Sequence, residues 1–401
     1  MTKKKEIALV DCNNFFVGCE QAMNPSLLNK AVCVVGGHNG CVLARSNEAK
    51  RLGVAMGLPY FMAKKDFPNV IYLQSNMGLY HEFSVRVREM LKNYSPIVEV
   101  YSIDEAFLDL TGIDKVFGLS YESLIARIRD EIKENIGINV SVGLANSKTL
   151  AKLATEKAKK GDFIYRIKSE DIRSELSGLL AQSIWGIGRN TASSLRKYGI
   201  FTALDIVSKD DDFYKRNFGK KGLELKHELL GESVIKTANS DQKPKSIQKT
   251  SAFPNFSRDK NYIRESLRYH LHNVCAKMRR LNLSAGAICV MLRTKDFRVF
   301  VERKELDTAK NCECELYSII NELFNRIYFE DLIYRASGIY VEKLVNTEVN
   351  QLGLFQTEIN HKAEKISALW DKFEAKYGKN VFNVGAIPKK DALYKLKRIE
   401  N

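Results

Sequence analysis

The sequence is short of several things, and each shortage removes a class of protein. Only 7 of its 401 residues are proline while 45% are hydrophobic, a balance that suits a folded chain and not a disordered one. No apolar run approaches the roughly 18–20 residues needed to span a bilayer. The opening stretch, Met1 to Glu6, leads into only Ile7–Val10 before an aspartate. That run is too short for a secretory signal and reads as a strand, so a cytoplasmic protein with no membrane partner is expected. The cysteines (Cys12, Cys19, Cys33, Cys41, Cys275, Cys289, Cys312 and Cys314) include no Cys-x-x-Cys pair, and no histidine falls at zinc-finger spacing. Buried, reduced thiols are the reading, Cys312 and Cys314 lying in a helical pattern. Acids are also in deficit: 48 stand against 63 lysines and arginines, a net charge of +15. An excess of this sign favours a polyanionic partner and says nothing about fold.

A chain of this length divides into two to four domains. Over residues 1–170, strand and helix signals alternate. Ile7–Val10 and Val32–Val35 read as strands, and Leu79, Phe83, Val87 and Leu91 fall at helical spacing. Ile97–Tyr101 and Ala106–Leu110 read as an antiparallel hairpin around Ser102-Ile103-Asp104-Glu105. Leu124, Ile125, Ile128 and Ile132 form a further helical stripe before a strand at Asn139–Val142. The pattern predicts an α+β core with an insertion over about 22–76. Residues 171–240 change to short helices with glycine-bearing turns, and Asp241 to Lys245 reads as a linker. From 241 to 345 the order is βαββαβ, a split βαβ arrangement. Arg258, Lys260, Arg264, Arg268, Lys277, Arg279, Arg280, Arg293, Lys295 and Arg298 crowd into that part, which predicts a phosphate-facing surface. The remainder, 346–401, holds a short apolar peptide and one amphipathic helix around Ile366, Leu369, Trp370 and Phe373.

Asp11 directly follows the first strand, and Asp104 and Glu105 sit at the bend of the hairpin. Carboxylates crowded at adjacent strand ends repel one another unless cations occupy the site. Two hard divalent ions would relieve that cost, activate an attacking hydroxyl and stabilise a leaving pyrophosphate. Spacing alone also allows the plainer reading, three strand-end acids in turns.

Four blocks carry a resemblance. Val10-Asp11-Cys12-Asn13-Asn14-Phe15-Phe16, Gly40-Cys41-Val42-Leu43-Ala44-Arg45-Ser46-Asn47-Glu48-Ala49-Lys50, Tyr101-Ser102-Ile103-Asp104-Glu105-Ala106-Phe107-Leu108-Asp109 and Ser141-Val142-Gly143-Leu144-Ala145 together resemble the Y-family DNA polymerases. The match looks closest to the UmuC branch, the catalytic-subunit type of bacterial polymerase V. The resemblance implies a ferredoxin-like palm with a small fingers insertion, a helical thumb with a helix-hairpin-helix, a βαββαβ little finger and a C-terminal tail. It implies error-prone translesion synthesis with two Mg2+ ions, Mn2+ able to stand in for them. Asp11, Asp104, Glu105 and the carbonyl of Cys12 would be the metal ligands. Asn14 and Phe15 would offer backbone N–H groups to the triphosphate, and Phe16 would be the steric gate beneath the sugar. Without the family, a Phe-Phe pair after a strand reads as core. Lys159 would be a triphosphate cation, with Lys160 its rival.

One departure stands out. Where many members place Thr, Tyr and Arg at three-residue intervals, this chain has Ala44, Asn47 and Lys50. Lys50 keeps the charge without the bidentate fork of arginine, and Arg45 would supply the guanidinium. Gly186, Ile187, Gly188 and Arg189 resemble a DNA-gripping hairpin turn, with Phe218 to Gly222 a second such turn. Gln351, Leu352, Leu354 and Phe355 are similar to a sliding-clamp docking peptide. The implied partners are primer–template DNA, deoxynucleoside triphosphates and the sliding clamp; accessory SOS mutagenesis subunits are a further class that the resemblance leaves open.

Overall fold

A computed structural model describes residues 4–36, 40–237, 243–347 and a last helix, His361–Tyr377, of which part of the side chains are placed. The chain splits into two compact units, Met1–Asp241 and Gln242–Asn401. No helix among the described residues is long and apolar enough to cross a membrane.

In the first unit, β1 (Ile7–Cys12) is followed by α1 (Phe15–Met23), then by β2 (Val32–Val35), β3 (Val42–Arg45), α2 (Asn47–Arg51), α3 (Tyr60–Asp66) and β4 (Ile71–Gln74). Next come α4 (Met77–Leu91), β5 (Val98–Val100), β6 (Glu105–Asp109), α5 (Ile113–Phe117), α6 (Tyr121–Ile136), β7 (Val140–Ala145), α7 (Lys148–Ala158) and β8 (Ile164–Arg166). Strands β2, β3 and β4 form a separate three-stranded sheet with its own small core around Val35, Val42 and Tyr60. The main sheet has the order β5-β6-β1-β7-β8, with β1 antiparallel to both neighbours.

Every residue of β1 is buried, because both faces of the sheet are covered. Its side chains alternate between two cores, as a period of two requires. Ala8, Val10 and Cys12 join the residues of α4 and α6, including Phe83, Leu124 and Ile128. Ile7 and Leu9 face the other way, onto Leu150, Ala151 and Ala154 of α7. The boundaries of α6 are written in the sequence: Ser120 accepts the N–H of Ser123, and Gly137 ends the helix at φ 81°.

The rest of the first unit is helical: α8 (Ile172–Leu176), α9 (Arg189–Lys197), α10 (Ala203–Ser208) and α11 (Asp211–Leu229). The turn expected at Phe218 to Gly222 is a break inside α11, where Gly219 adopts φ 62° and ψ −159°. A left-handed φ is open to glycine at little cost.

The second unit contains β9 (Ser246–Ser257), α12 (Lys260–Arg280), β10 (Leu283–Thr294), β11 (Val299–Lys310), α13 (Glu313–Ile327) and β12 (Tyr334–Asn346). Its sheet has the order β11-β10-β12-β9, all antiparallel. The two βαβ pairs are split by one strand, as the βαββαβ order predicts, but the first strand lies at the edge; in the main sheet of the first unit it is central. The final helix, α14 (His361–Tyr377), packs on this unit. Arg279 Nε donates to Asp371 at 2.7 Å, Ser367 Oγ donates to Glu313 at 3.0 Å, and Trp370 stacks on His272 at 4.3 Å. Arg279, counted from sequence with the phosphate-facing cations, is therefore committed to Glu313 and Asp371. Arg268 likewise lies over the Tyr317 ring and pairs with Glu265.

All eight cysteines are free. Six are buried as expected; Cys41 is half-buried and Cys314 exposed, because Cys314 falls in the first turn of α13 rather than on its inner face.

Candidate active site

The site follows from strand register. Asp11 shares a sheet face with Ile7 and Leu9, and Glu105 shares that face with Phe107, so both acids point to the side covered by α7. Antiparallel pairing sets Asp11 opposite Glu105. The hairpin bend is closed on β1 by a bond from the Cys12 N–H to the Asp104 carbonyl at 2.9 Å. Ser102 organises the bend: its Oγ accepts the N–H groups of Asp104 and Glu105 at 3.2 and 3.0 Å and donates to the Asp104 carboxylate.

Helix α7 brings the countercharges. Lys159 Nζ donates to Asp11 Oδ2 at 2.8 Å and to Glu156 at 2.8 Å. Lys152 Nζ donates to Glu105 Oε1 at 2.8 Å. The helix can come this close because β7 carries Gly143 at the crossing. A Cβ there would lie 2.2 Å from the backbone nitrogen of Thr155. The Thr155 hydroxyl also lies 3.3 Å from the Leu9 carbonyl, fastening α7 over β1. Burial pushes the Asp11 carboxyl up to about 7; Lys159 works against that rise and Glu105 adds to it.

A cleft of about 470 Å³ opens beside these groups. Asp11, Cys12, Asp104, Asn14, Phe15, Phe16, Arg45, Lys50 and Lys159 all line it, so residues spread over 149 positions of sequence meet in one place. The Glu105 carboxylate lies against Asp11 at the edge of this cleft and also bonds Lys152. Lys160 is exposed and stands outside it, which separates it from Lys159. Helix α1 starts at the cleft. Its N-cap Asn14 sits at φ 51° and makes no side-chain cap, its amide donating instead to Asn47 across the cleft at 3.0 Å. The first-turn N–H groups of such a helix have no intrahelical partner. Phe15 packs into the core, while the Phe16 ring lies flat on Tyr80, 4.3 Å away and 13° from parallel.

On the opposite wall Arg45 donates to the Val54 carbonyl, which draws its guanidinium toward the loop after α2. Burial, with Arg45 and Lys159 nearby, pulls the Lys50 ammonium below its ordinary range. Sequence reasoning missed Lys152, Ser102, Asn13, Met56 and Phe163. Lys152 had a signal: it lies seven residues, two helical turns, before Lys159. Phe163 had none, since only the fold brings it to the rim at φ 64°.

Among the described residues no three His, Cys, Asp or Glu side chains are already gathered to hold an ion. Each acid is met by a lysine or a serine instead. The donor set is nonetheless all oxygen, and the buried, mutually repelling Asp11 and Glu105 already draw two ammonium groups, so its chemistry fits hard divalent cations. Gly186 (φ 89°) and Gly188 lead into α9, and a Cβ at either would meet nothing, leaving the backbone open to approach. Gln351, Leu352, Leu354 and Phe355 lie outside the described residues.

Comparison with known proteins gives the family. Residues 10–156 match the impB/mucB/samB family, and residues 244–354 match that family's C-terminal domain. Protein SamB of Salmonella typhimurium is 30% identical over 380 residues, 91% of this chain and 89% of that protein. DNA polymerase IV of Dehalococcoides mccartyi (strain CBDB1) is 30% identical over 378 residues, 93% of this chain and 95% of that one. Protein UmuC of Salmonella typhimurium is also 30% identical, over 93% of this chain and 91% of the relative. A solved Y-family DNA polymerase chimera of Dbh and Dpo4 superposes with a TM-score of 0.75 at 27% identity, over 85% of this chain and 99% of that chain. UmuC-type proteins and DNA polymerase IV are equally similar, which shows the family without singling out a branch. On sequence over nine-tenths of its length and on architecture, the chain belongs to the impB/mucB/samB family of Y-family DNA polymerases.

Proposed function

We propose that this DNA polymerase carries out error-prone translesion synthesis by two-metal nucleotidyl transfer from a deoxynucleoside triphosphate to a primer 3′-hydroxyl, releasing pyrophosphate. The observation that carries the reading is the apposition of Asp11 and Glu105, with Asp104 on the adjoining bend, beside a cleft that also holds Lys159 and Phe16. Asp11, Asp104, Glu105 and the carbonyl of Cys12 would hold two magnesium ions. When bound, such ions lower the pKa of the attacking hydroxyl and offset charge on the leaving group.

The chain's own residues do the rest. Lys159, which lines the cleft beside Asp11, would meet the triphosphate, with Lys50 and Arg45 on the facing wall. The start of α1 offers the N–H groups of Asn14 and Phe15. Phe16, held flat by Tyr80, closes the floor of the cleft where a 2′-hydroxyl would project. The three-stranded sheet of β2, β3 and β4 is a small fingers element that presses lightly on a nascent pair, which suits damaged templates and low fidelity.

In this reading residues 1–170 are the palm with fingers over about 22–76, 171–240 the thumb, 241–345 the little finger and 346–401 a tail. The Gly186–Arg189 turn grips the primer–template backbone, and Gln351, Leu352, Leu354 and Phe355 engage the sliding clamp. Arg45 beside Ala44 favours the UmuC type, and with it accessory SOS mutagenesis subunits as partners. The deciding experiment is primer extension on an abasic-site template with magnesium, comparing the native protein with Asp104→Ala/Glu105→Ala. Extension past the lesion by the native protein alone is expected. Equal extension by both would sink the ligand assignment.

A further inference from the structure

The Glu105 carboxylate lies against Asp11 and is at the same time claimed by an ammonium from α7. Lys152 Nζ bonds Glu105 Oε1 at 2.8 Å and lies 5.0 Å from the centre of the Tyr101 ring and 6.0 Å from that of Trp185. The two rings are tied together: Trp185 Nε1 donates to the Tyr101 hydroxyl at 3.0 Å, and the rings meet edge to face at 5.5 Å. Trp185 also leans on Phe107, two residues from Glu105 on the same sheet face. Trp185 belongs to the loop that precedes α9, so one lysine joins the hairpin, α7 and that loop.

We infer that Lys152 is a positioning residue that occupies the Glu105 carboxylate until a divalent ion competes for it, and that the Tyr101–Trp185 pair retains the displaced ammonium. The inference rests on the two-metal reading of this site. Two like charges cannot share one carboxylate cheaply, so loading an ion at Glu105 requires the ammonium to leave or the ion to bind more weakly. Aromatic faces are suited to receive it, since a cation over a ring keeps an electrostatic partner without needing the carboxylate. The thumb loop thereby senses whether the ligand set is assembled, because Trp185 touches the group that moves. Lys159 differs in this respect: it lines the cleft itself, where a triphosphate can take over its bond to Asp11.

The test uses the full chain and manganese alone, read by electron paramagnetic resonance, on the native protein, Lys152→Met, Lys152→Arg and Asp104→Ala/Glu105→Ala, with circular dichroism to confirm folding. Lys152→Met should bind manganese about fivefold or more tightly than the native protein. Lys152→Arg, which keeps the charge, should bind as the native protein does; tightening by both variants would point to lost packing and overturn the inference. A second readout exploits the two tryptophans. In a Trp370→Phe background, magnesium should change Trp185 fluorescence, and adding Lys152→Met should abolish that change. If the Asp104→Ala/Glu105→Ala protein binds manganese as the native one does, the two-metal reading fails and takes this inference with it. If that variant loses binding while Lys152→Met matches the native affinity, the inference alone is wrong.

Discussion

Phe16 owes its position to a neighbour that sequence gives no reason to connect with it. Tyr80 is fully buried, and its hydroxyl donates to Glu20 at 2.8 Å, so its ring is a fixed platform on which Phe16 lies. A ring held on one face cannot swing aside to admit a larger sugar. Phe16→Ala should therefore raise incorporation of ribonucleotides relative to deoxynucleotides by roughly tenfold or more, the scale on which removing steric exclusion acts. The ratio of kcat/KM for the two nucleotides in primer extension measures it, and an unchanged ratio would return Phe16 to a purely structural role. The Phe-Phe pair alone reads as core, and both rings do pack there, Phe15 buried and Phe16 half-buried against the same cluster, while both also border the cleft. Arg45 shows the reverse case. Its charge was legible, but its bond to the Val54 carbonyl was not, because that carbonyl lies in a loop nine residues away.

Helix α7 is the element on which the site depends, since it and its C-cap residue supply the two lysines that meet the acids. Its closeness to β7 rests on Gly143, where no side chain fits between strand and helix backbone. Gly143→Ala must move α7 outward, which should destabilise the fold by about 1–3 kcal/mol as overpacking does. It should also slow extension, because Lys159 and Lys152 travel with the helix. A shift in the urea midpoint together with a reduced extension rate is the expected pair of results. Loss of stability with full activity would mean that the site tolerates displacement of α7. The strand is legible at Asn139–Val142 and runs on to Ala145, whereas the need for glycine in it is not legible; only the crossing helix creates that need.

At the scale of the whole molecule, two units with separate cores should unfold separately, and the second should be the more telling in acid. His270 is fully buried there against Ser266 and Ser337, and burial lowers its pKa to about 3. In the unfolded chain the ring takes a proton below about 6.5. Between those values only the unfolded state binds it, so stability is lost as pH falls from 6.5 toward 3, by at most about 1.4 kcal/mol per pH unit. Glu313 acts in the same direction at lower pH. Held by His272 and Arg279 against the cost of its burial, its carboxyl sits at about 2, so its contribution is present above 4.5 and fades as pH falls toward 2. With Trp185→Phe, Trp370 reports this unit alone. Its melting temperature should drop steadily from pH 6.5 to 4.5, and His270→Asn should flatten that slope.

What the sequence determined by itself was local and periodic. The buried first strand, the acid-bearing hairpin, the stripe of α6 with its caps, the βαββαβ order and the motifs that resemble the polymerase family all depend on neighbours in sequence or on residue type. What tertiary structure decided were the encounters between distant segments. Lys152 with Glu105, Phe16 with Tyr80, Arg279 with Asp371 and Lys159 with Asp11 are set by strand register and helix packing. These fix which face each side chain takes only once the sheet and its covering helices are assembled, so a count of charges or a spacing of aromatics carries no trace of them.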